Sequence, residues 1–379
     1  MSRFRPWLLL TAMGLFGVTP AFATNFVVGT CKPGLTSFPT ISAAVAAAPA
    51  GTTIYVCPGT YAEQITISEP LTLQGVGNGN SGQVVITATG GVRSNATTVG
   101  GSPLAAQIAV TAGPVNISQV TIDGMGNGLF GSIPLAGIYY GSGASGVISN
   151  VTTRNQLNES NGIGIFAENG NSTSESVTIT GNSVHDFDAT GIWLNGNVNA
   201  TVQGNSVSSA NVSEFTYGIL VGYPVATTTA NLTRNILTGP GASLDAQGLT
   251  VMTSTTAASS NMFTGWYFAA VDFGAASYST NSVQSSTIAF YLGVPGATIQ
   301  TNSITQTFAA VDFNCVGATV YRNVVNDANI ALYEGFATPN PQNDFFNVAT
   351  IQNLGCGANV PAVSKKHGAP RVDPKTIKN

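Results

Sequence analysis

Apolar and polar residues alternate in short runs along most of the chain, and most runs end in a polar turn that contains asparagine. Alternation with a period of two is typical of β-strands that bury one face. Between residues 261 and 334 the pattern occurs four times, as NMFTGWYFAAVDFG, NSVQSSTIAFYLG, NSITQTFAAVDFN and NVVNDANIALYEG. The copies begin 20 or 21 residues apart, which predicts a solenoid of stacked strands.

The same pattern extends over residues 107–353 with longer loops in the earlier coils. The predicted turn asparagines are Asn150, Asn182, Asn205, Asn235, Asn261, Asn281, Asn302 and Asn323. We interpret them as structural, because stacked asparagine side chains satisfy one another. The longer loops, at residues 123–135, 154–161 and 168–176, either wall a binding face or are insertions exposed to solvent.

Residues 24–77 follow a different pattern, in which short strands flank an amphipathic segment. Thr40–Ala48 is predicted to be a short helix, with Ile41 and Val45 on one face and Pro49 and Gly51 ending it. A helix at this place would cover the open edge of the first coil.

The order F-P-T-I-x-x-A-V-x-A-A-P, a strand, P-G-x-Y-x-E and T-L-x-G runs from Phe38 to Gly77. This order resembles the opening of pectin-lyase-like right-handed β-helix proteins, pectin methylesterases among them. The resemblance implies an all-β, right-handed parallel β-helix with a short N-terminal capping helix. It also implies a polysaccharide ligand, often pectin, bound in a groove along the parallel strands.

The residues that would define one reaction of this superfamily are missing. Residues 24–360 have no Q-D pair and no R-P-W of the esterases, and no N-T-D, D-D or R-I-K of the polygalacturonases. The body also lacks the basic residues of pectate lyases. Whether the protein is an enzyme therefore stays open, with hydrolase, lyase and esterase activities all possible.

Candidate site residues come from separating inward and outward strand positions. Alternate residues of a strand point to opposite faces, so the apolar pairs of each coil are predicted to fill the interior and the residue between them to face outward. The predicted outward residues are Tyr139, Gly164, Trp193, Leu220, Thr250, Asp272, Tyr291, Asp312 and Tyr333.

Aromatic rings stack on the apolar faces of sugars and carboxylates accept hydrogen bonds from sugar hydroxyls, so this composition predicts a glycan site. We expect Tyr139, Trp193, Tyr291 and Tyr333 to bind substrate. Asp272 and Asp312 are the candidate catalytic pair: two strands apart, they would be about 9.6 Å apart at the backbone, which suits an inverting hydrolase. Alternatively, loops bury the aromatics, or the acids only hydrogen-bond a ligand.

A second constellation is His185-Asp186-Phe187-Asp188. Asp186 and Asp188 are two residues apart and predict a weak Ca²⁺ site, with His185 as a nearby base. The alternative is that both aspartates bond their own backbone in a turn. We expect no other cofactor.

Composition and the two ends limit the remaining possibilities. Residues 1–23 have a basic start, an apolar run and an Ala21-Phe22-Ala23 cleavage site, which predicts a signal peptide and a secreted or periplasmic protein. Residues 24–360 are then one domain, and residues 361–379 are a basic tail that we expect to be disordered rather than a binding arm. The domain has 5 basic and 15 acidic side chains, which argues against nucleic acid as a partner.

Four cysteines in an exported chain predict two disulfides, Cys31 with Cys57 and Cys315 with Cys356. We expect a monomer without a membrane span. Two functions remain: a protein that binds, and as an enzyme would process, extracellular polysaccharide, or a non-catalytic surface, adhesive or structural β-helix.

Overall fold

The structure is a computed structural model and describes residues 25–77, 81–88, 90–125, 127, 133–210, 216–241, 246–253, 255–334, 342–353 and 356. The predicted signal peptide and basic tail lie outside these residues. The described chain winds into coils, and each coil contributes strands to three columns in which neighbouring strands pair in parallel. The predicted right-handed parallel β-helix is confirmed.

The first column consists of Thr36–Phe38, Asn25–Val28, Thr52–Val56, Leu71–Gly75, Val115–Ser118, Gly146–Ser149, Glu175–Thr180, Val198–Gln203, Thr229–Thr233, Thr256–Ser259, Ser277–Ser279, Thr298–Gln300 and Thr319–Tyr321. The second column consists of Gly59–Ala62, Val84–Thr87, Thr121–Asp123, Thr152–Arg154, Ser183–His185, Ser206–Ser208, Ile236–Thr238, Met262–Thr264, Ser282–Gln284 and Asp344–Phe346. The third column consists of Ile65–Ile67, Pro103–Val110, Leu135–Tyr140, Gly162–Asn169, Thr190–Gly196, Tyr217–Val221, Gln247–Val251, Phe268–Asp272, Ile288–Leu292 and Thr350–Asn353.

Two long strands, Ser303–Asp312 and Val324–Tyr333, run through both the second and the third columns and join them into one sheet. A short strand, Ala96–Thr97, pairs antiparallel with the start of Pro103–Val110 outside the coils. A 3-10 helix spans Ser81–Gln83.

The core lies inside the coils and consists of apolar residues that occupy the same strand position in successive coils. In the first column Leu73, Ile117, Ile148 and Ile179 pair in succession and are almost completely buried. Each strand has its neighbours directly above and below, so an apolar residue at this position is covered on both sides. Burial of these stacked side chains is the main stabilising contribution to such a fold.

Stacked asparagines line the corner between the first and second columns. The backbone N and the side-chain Nδ2 of each asparagine donate to Oδ1 of the next one, at 3.1 and 2.9 Å for Asn205 and Asn235. The ladder comprises Asn182, Asn205, Asn235, Asn261, Asn281, Asn302, Asn323 and Asn343. The structural interpretation of these asparagines is confirmed.

The ladder differs from the prediction at its start. Asn150 is not a member, because Val151 holds the ladder position and donates its backbone N to Asn182 Oδ1 at 2.9 Å. Asn150 is the preceding residue and has a φ of 52°. Asparagine tolerates this left-handed conformation, so the residue fits the turn without joining the ladder.

The predicted capping helix is present as Ile41–Ala47. Thr40 caps it by accepting from the backbone N of Ala43 at 3.1 Å, and the Glu63 carboxylate accepts from the backbone N of Ile41 and Ser42. Ile41 and Ala44 are buried against the first coil. Both predicted disulfides, Cys31–Cys57 and Cys315–Cys356, are also present.

Within the described residues, we find no helix with the length and apolar character that a membrane crossing requires.

Candidate functional site

Backbone pairing places one residue of each coil at the same outward position of the third strand column. We call this set the outer column. In chain order it consists of Thr66, Ala109, Tyr139, Phe166, Trp193, Leu220, Thr250, Val271, Tyr291, Asp312 and Tyr333. The four predicted substrate-binding aromatics and Asp312 all lie on it.

Asp272 does not lie on the outer column, and the prediction that it faces outward is wrong. It pairs with Val251 and Leu292, which are inward residues, while its neighbour Val271 pairs with Tyr291 on the outside. Its carboxylate accepts from the backbone N of Gly274 at 2.7 Å and of Ala276 at 2.9 Å, and its side chain is almost fully buried. Asp272 therefore closes the turn after its strand, and burial raises its pKa.

The correct register could have been found by counting from the ladder. Val271, Tyr291, Asp312 and Tyr333 each lie ten residues after a ladder asparagine. In the sequence, Val271 and Phe273 look like a pair of inward apolar residues with Asp272 between them. This pattern predicts an outward position for Asp272, one residue after the true outward residue, Val271. Phe273 is in fact 41% exposed.

Gly164 is the second misplaced residue, because Phe166 occupies the outer column in that coil. A Cβ on Gly164 would lie 2.4 Å from Val184 Cγ1 and 2.6 Å from the backbone O of Gly191. The backbone thus approaches the interior closely here, and only glycine fits.

The first half of the outer column is a buried aromatic stack. The rings of Phe166 and Trp193 are stacked with centroids 4.5 Å apart, and the ring of Tyr139 is 5.4 Å from that of Phe166. Tyr139 and Phe166 are almost fully buried, whereas Trp193 is half-buried and donates its Nε1 to the backbone O of Tyr223 at 2.7 Å. These rings form a small apolar cluster outside the coils.

Residues 90–102 lie over this stack, and we call them the flap. Its contacts to the coils are specific. The backbone of Arg93 exchanges hydrogen bonds with the Gln64 side chain, and the side chain of Asn95 exchanges hydrogen bonds with the backbone of Ala106. The hydroxyl of Tyr139 donates to the backbone O of Thr97 at 3.2 Å. The flap is therefore a cover over the stack and not a free insertion.

A buried carboxylate, Glu168, joins the flap to the stack. It accepts from the Tyr139 hydroxyl at 2.8 Å, the backbone N of Val99 at 2.8 Å and Nδ2 of Asn195 at 3.2 Å. Burial raises the pKa of this carboxyl, and the three hydrogen bonds oppose that rise. Tyr139 and Glu168 thus fill their hydrogen bonds internally, so Tyr139 offers no free face to a ligand.

The second half of the outer column has a different surface. Tyr291 and Tyr333 are half-buried, and Asp312 lies between them on the intervening strand. Phe268 contacts Tyr291 edge-on at 5.4 Å and Phe308 contacts Tyr333 at 6.3 Å, so each tyrosine ring has a supporting ring beside it. Both supporting phenylalanines open the same string, F-A-A-V-D-F, at residues 268–273 and 308–313, and this repeat is the signal that could have found them.

The electrostatics of this half are acidic. Burial raises the pKa of Tyr291, and the Asp312 and Glu334 carboxylates raise it further. Burial also raises the pKa of Tyr333, with Glu334 and then Asp312 adding to the rise. Both phenols therefore stay protonated at neutral pH and can donate a hydrogen bond. Asp312 itself is almost fully buried and accepts from the backbone N of Asn314 at 3.0 Å.

The two aspartates of the sequence His185-Asp186-Phe187-Asp188 lie in different surroundings. Asp188 is buried and accepts from the backbone N of Asn158, Ser160 and Gly162, at 2.6, 3.0 and 2.5 Å. Asp186 is exposed and contacts His185 Nδ1 at 2.7 Å. Among the described residues no group of three or more His, Cys, Asp or Glu could hold a metal ion. The Ca²⁺ site stays a prediction.

No protein-family model matches the sequence, and no curated protein matches it. The fold does match solved structures. A GH136 lacto-N-biosidase from Eubacterium ramulus has a TM-score of 0.53 and 9% identity, over 86% of this chain and 68% of that chain. The mannuronan C-5 epimerase AlgE4 A-module from Azotobacter vinelandii has a TM-score of 0.45 and 14% identity, over 83% of this chain and 92% of that chain.

A pectin methylesterase in complex with hexasaccharide VII has a TM-score of 0.34 and 12% identity, over 85% of this chain and 93% of that chain. At these identities the likeness concerns the fold alone. The fold of the chain is a right-handed parallel β-helix, as its opening motif predicts.

Proposed function

We propose that this protein binds a glycan on the outward face of its last coils, with Tyr291 and Tyr333 as stacking platforms. The observation that carries the proposal is the pair of half-buried tyrosines on either side of Asp312, each supported by a phenylalanine. Rings held in this way present an apolar face without losing rotamer entropy on binding.

The two platforms suit an extended ligand better than a single sugar. Because they lie two strands apart, their backbone positions are separated by about 9.6 Å along the stack. A glycan chain that runs parallel to the axis of the helix would contact both rings. Trp193, which is half-buried, would extend the contact toward the middle coils, while Tyr139 acts from below as part of the covered stack.

The β-helix folds of the compared structures support a carbohydrate-related function, since several of their names describe carbohydrate-active proteins. The two disulfides support an exported protein, because disulfides persist in oxidising compartments. Cleavage near Ala23 would release the mature chain, which can be checked by N-terminal sequencing of the exported protein.

Binding is tested with a glycan array that carries neutral and acidic polysaccharides, using the mature chain and its Tyr291→Ala and Tyr333→Ala variants. Both variants are expected to lose at least about tenfold in affinity, which is about 1.4 kcal/mol. Tyr321→Ala is the matched control, because Tyr321 is also half-buried but lies in the first strand column. Binding that both platform variants retain would contradict the proposal and favour a purely structural rod.

A product assay on the bound glycans tests the catalytic prediction for Asp272 and Asp312. The inward position of Asp272 removes the geometric reason for pairing it with Asp312. We therefore expect binding without turnover. If the wild type releases product and Asp312→Asn does not, the protein is an enzyme that uses Asp312. If Asp272→Asn also stops product release, the predicted catalytic pair of Asp272 and Asp312 is correct.

A further inference from the structure

We infer that the glycan bound by the last coils is uncharged, and that uronate polymers are poor ligands of this face. The inference rests on the proposed glycan site and narrows the class of sugar that it takes. It departs from the pectin-like ligand that the opening motif of the chain implies.

The carboxylates at the site are the first reason. Asp312 lies directly between the two platform tyrosines in the outer column. Glu334 follows Tyr333 in the chain, is only partly buried, and its charge acts on both tyrosines. A sugar carboxylate that lay on either ring would therefore meet two like charges at short range.

The positions of the basic side chains are the second reason. The part of the chain that the structure describes holds five, namely Lys32, Arg93, Arg154, Arg234 and Arg322. The last two occupy turns just before ladder asparagines, at the corner between the first and second strand columns, and Arg322 donates to Gln342 at 2.9 Å. The outer column lies in the third strand column.

The other three basic residues lie in the first half of the molecule. Lys32 is over the ring of Tyr55 at 4.9 Å, Arg154 pairs with Asp123 at 2.9 Å, and Arg93 belongs to the flap. None of the five lies on the outer column, so within the described residues no guanidinium or ammonium is placed to pair with a uronate on the platforms.

A neutral sugar is not repelled by these carboxylates and needs no basic partner. Its apolar ring face would cover a tyrosine, and its hydroxyls could donate to the carboxylates or accept from the phenols, which stay protonated. The same acidic groups that repel a uronate thus serve as acceptors for an uncharged glycan.

The test uses two polymers with the same sugar backbone, polygalacturonate and its fully methyl-esterified form, in which each carboxylate is an uncharged methyl ester. A panel of neutral glucans, xylans and galactans is measured beside them. At low salt, the neutral ligands are expected to bind at least about tenfold more tightly than polygalacturonate. This difference should shrink as salt rises, because salt screens the like charges. Polygalacturonate that binds as tightly as the neutral ligands would overturn the inference.

Glu334→Gln gives an independent measurement on the same ligands. Removing this charge is expected to raise the affinity for polygalacturonate relative to that for neutral glycans by about threefold or more. An unchanged ratio would count against the inference even where neutral glycans bind. Failure of every glycan to bind would instead contradict the proposed function, so the two failures are distinguishable.

Discussion

The two halves of the outer column share one backbone register but have different surroundings. In the first half, Tyr139 and Phe166 are buried beneath the flap, and the Tyr139 hydroxyl is held by Glu168. In the second half, Tyr291 and Tyr333 are half-buried, the Asp312 carboxylate lies between them, and Glu334 follows Tyr333 in the chain. An outward strand position is therefore not the same as a solvent-exposed one.

The difference has a physical origin in what covers each half. The flap brings an apolar residue, Val92, and several backbone hydrogen-bonding groups to the outside of the early coils. Aromatic rings beneath it act as a second core. Without such a cover, an aromatic ring keeps one face available, and the cost of leaving it exposed is recovered only when a ligand covers it. We therefore expect the covered rings of the first half, Tyr139 and Phe166, to serve stability and the open rings of the second half to serve binding.

The largest expected effect separates the halves by stability. Phe166→Ala should lower the free energy of unfolding by about 3–5 kcal/mol, because it removes a fully buried ring from the stack. Tyr333→Ala should lower it by less than about 1.5 kcal/mol, because its ring is half-buried. Urea unfolding of both variants measures the difference, and equal losses would contradict the division.

Asp272 and Asp312 give the second comparison. Asp272→Ala should cost about 1–3 kcal/mol of stability, because the backbone N of Gly274 and Ala276 would lose their acceptor. Glycan affinity should be unchanged in this variant. Asp312→Ala should lower glycan affinity several-fold, since it removes the carboxylate between the platforms. A loss of affinity in Asp272→Ala alone would reverse these roles.

The third comparison concerns binding by tyrosines in the two halves. Tyr291→Ala should weaken glycan binding about tenfold, or about 1.4 kcal/mol, through loss of a platform. Tyr139→Phe should leave binding unchanged, because its hydroxyl is used by Glu168 and Thr97 beneath the flap. Calorimetric titration with the best ligand of the array measures both. Weaker binding by Tyr139→Phe would show that the flap opens to admit the ligand.

The smallest expected effect is a pH dependence that belongs to the first half. Burial raises the pKa of Glu168, so the folded state binds this proton more tightly than the unfolded state does. The contribution of the Glu168 carboxyl to the free energy of unfolding therefore falls as the pH rises from the ordinary glutamate pKa through the raised pKa. In Glu168→Gln, which does not titrate, the stability deficit relative to the wild type should shrink with rising pH.

Unfolding curves between pH 4 and pH 8 would test this pH effect. Glu175→Gln is the control, because Glu175 begins a strand of the first column away from the flap. A deficit of Glu168→Gln that grows with pH would mean that the hydrogen bonds to the charged carboxylate outweigh its burial.

Much of the fold follows from local pattern. The asparagine of each coil needs the same neighbour one repeat away, so a regular spacing of Asn261, Asn281, Asn302 and Asn323 is enough to predict the ladder and the stacking. Helix Ile41–Ala47 was likewise predictable from its apolar spacing and its threonine cap. The cysteines at the two ends of the stack paired as their positions suggested.

The outward residues show where local pattern stops. The outward position of Val271 can be predicted from its distance of ten residues from Asn261, but not from the pattern of apolar pairs. The burial of Tyr139 was not encoded nearby. It depends on Thr97 and Glu168, which are 42 and 29 residues away in the chain.

Stacking into a parallel β-helix follows from the repeat pattern alone, and so does the inward residue of most coils, because each repeat carries the same asparagine and the same apolar alternation. Which outward aromatics are covered and which remain open depends on the folded chain. The physical reason is that covering depends on the flap, which lies just before strand Pro103–Val110 and folds back over Tyr139 of the neighbouring strand. No periodicity in the strands records where the flap lies.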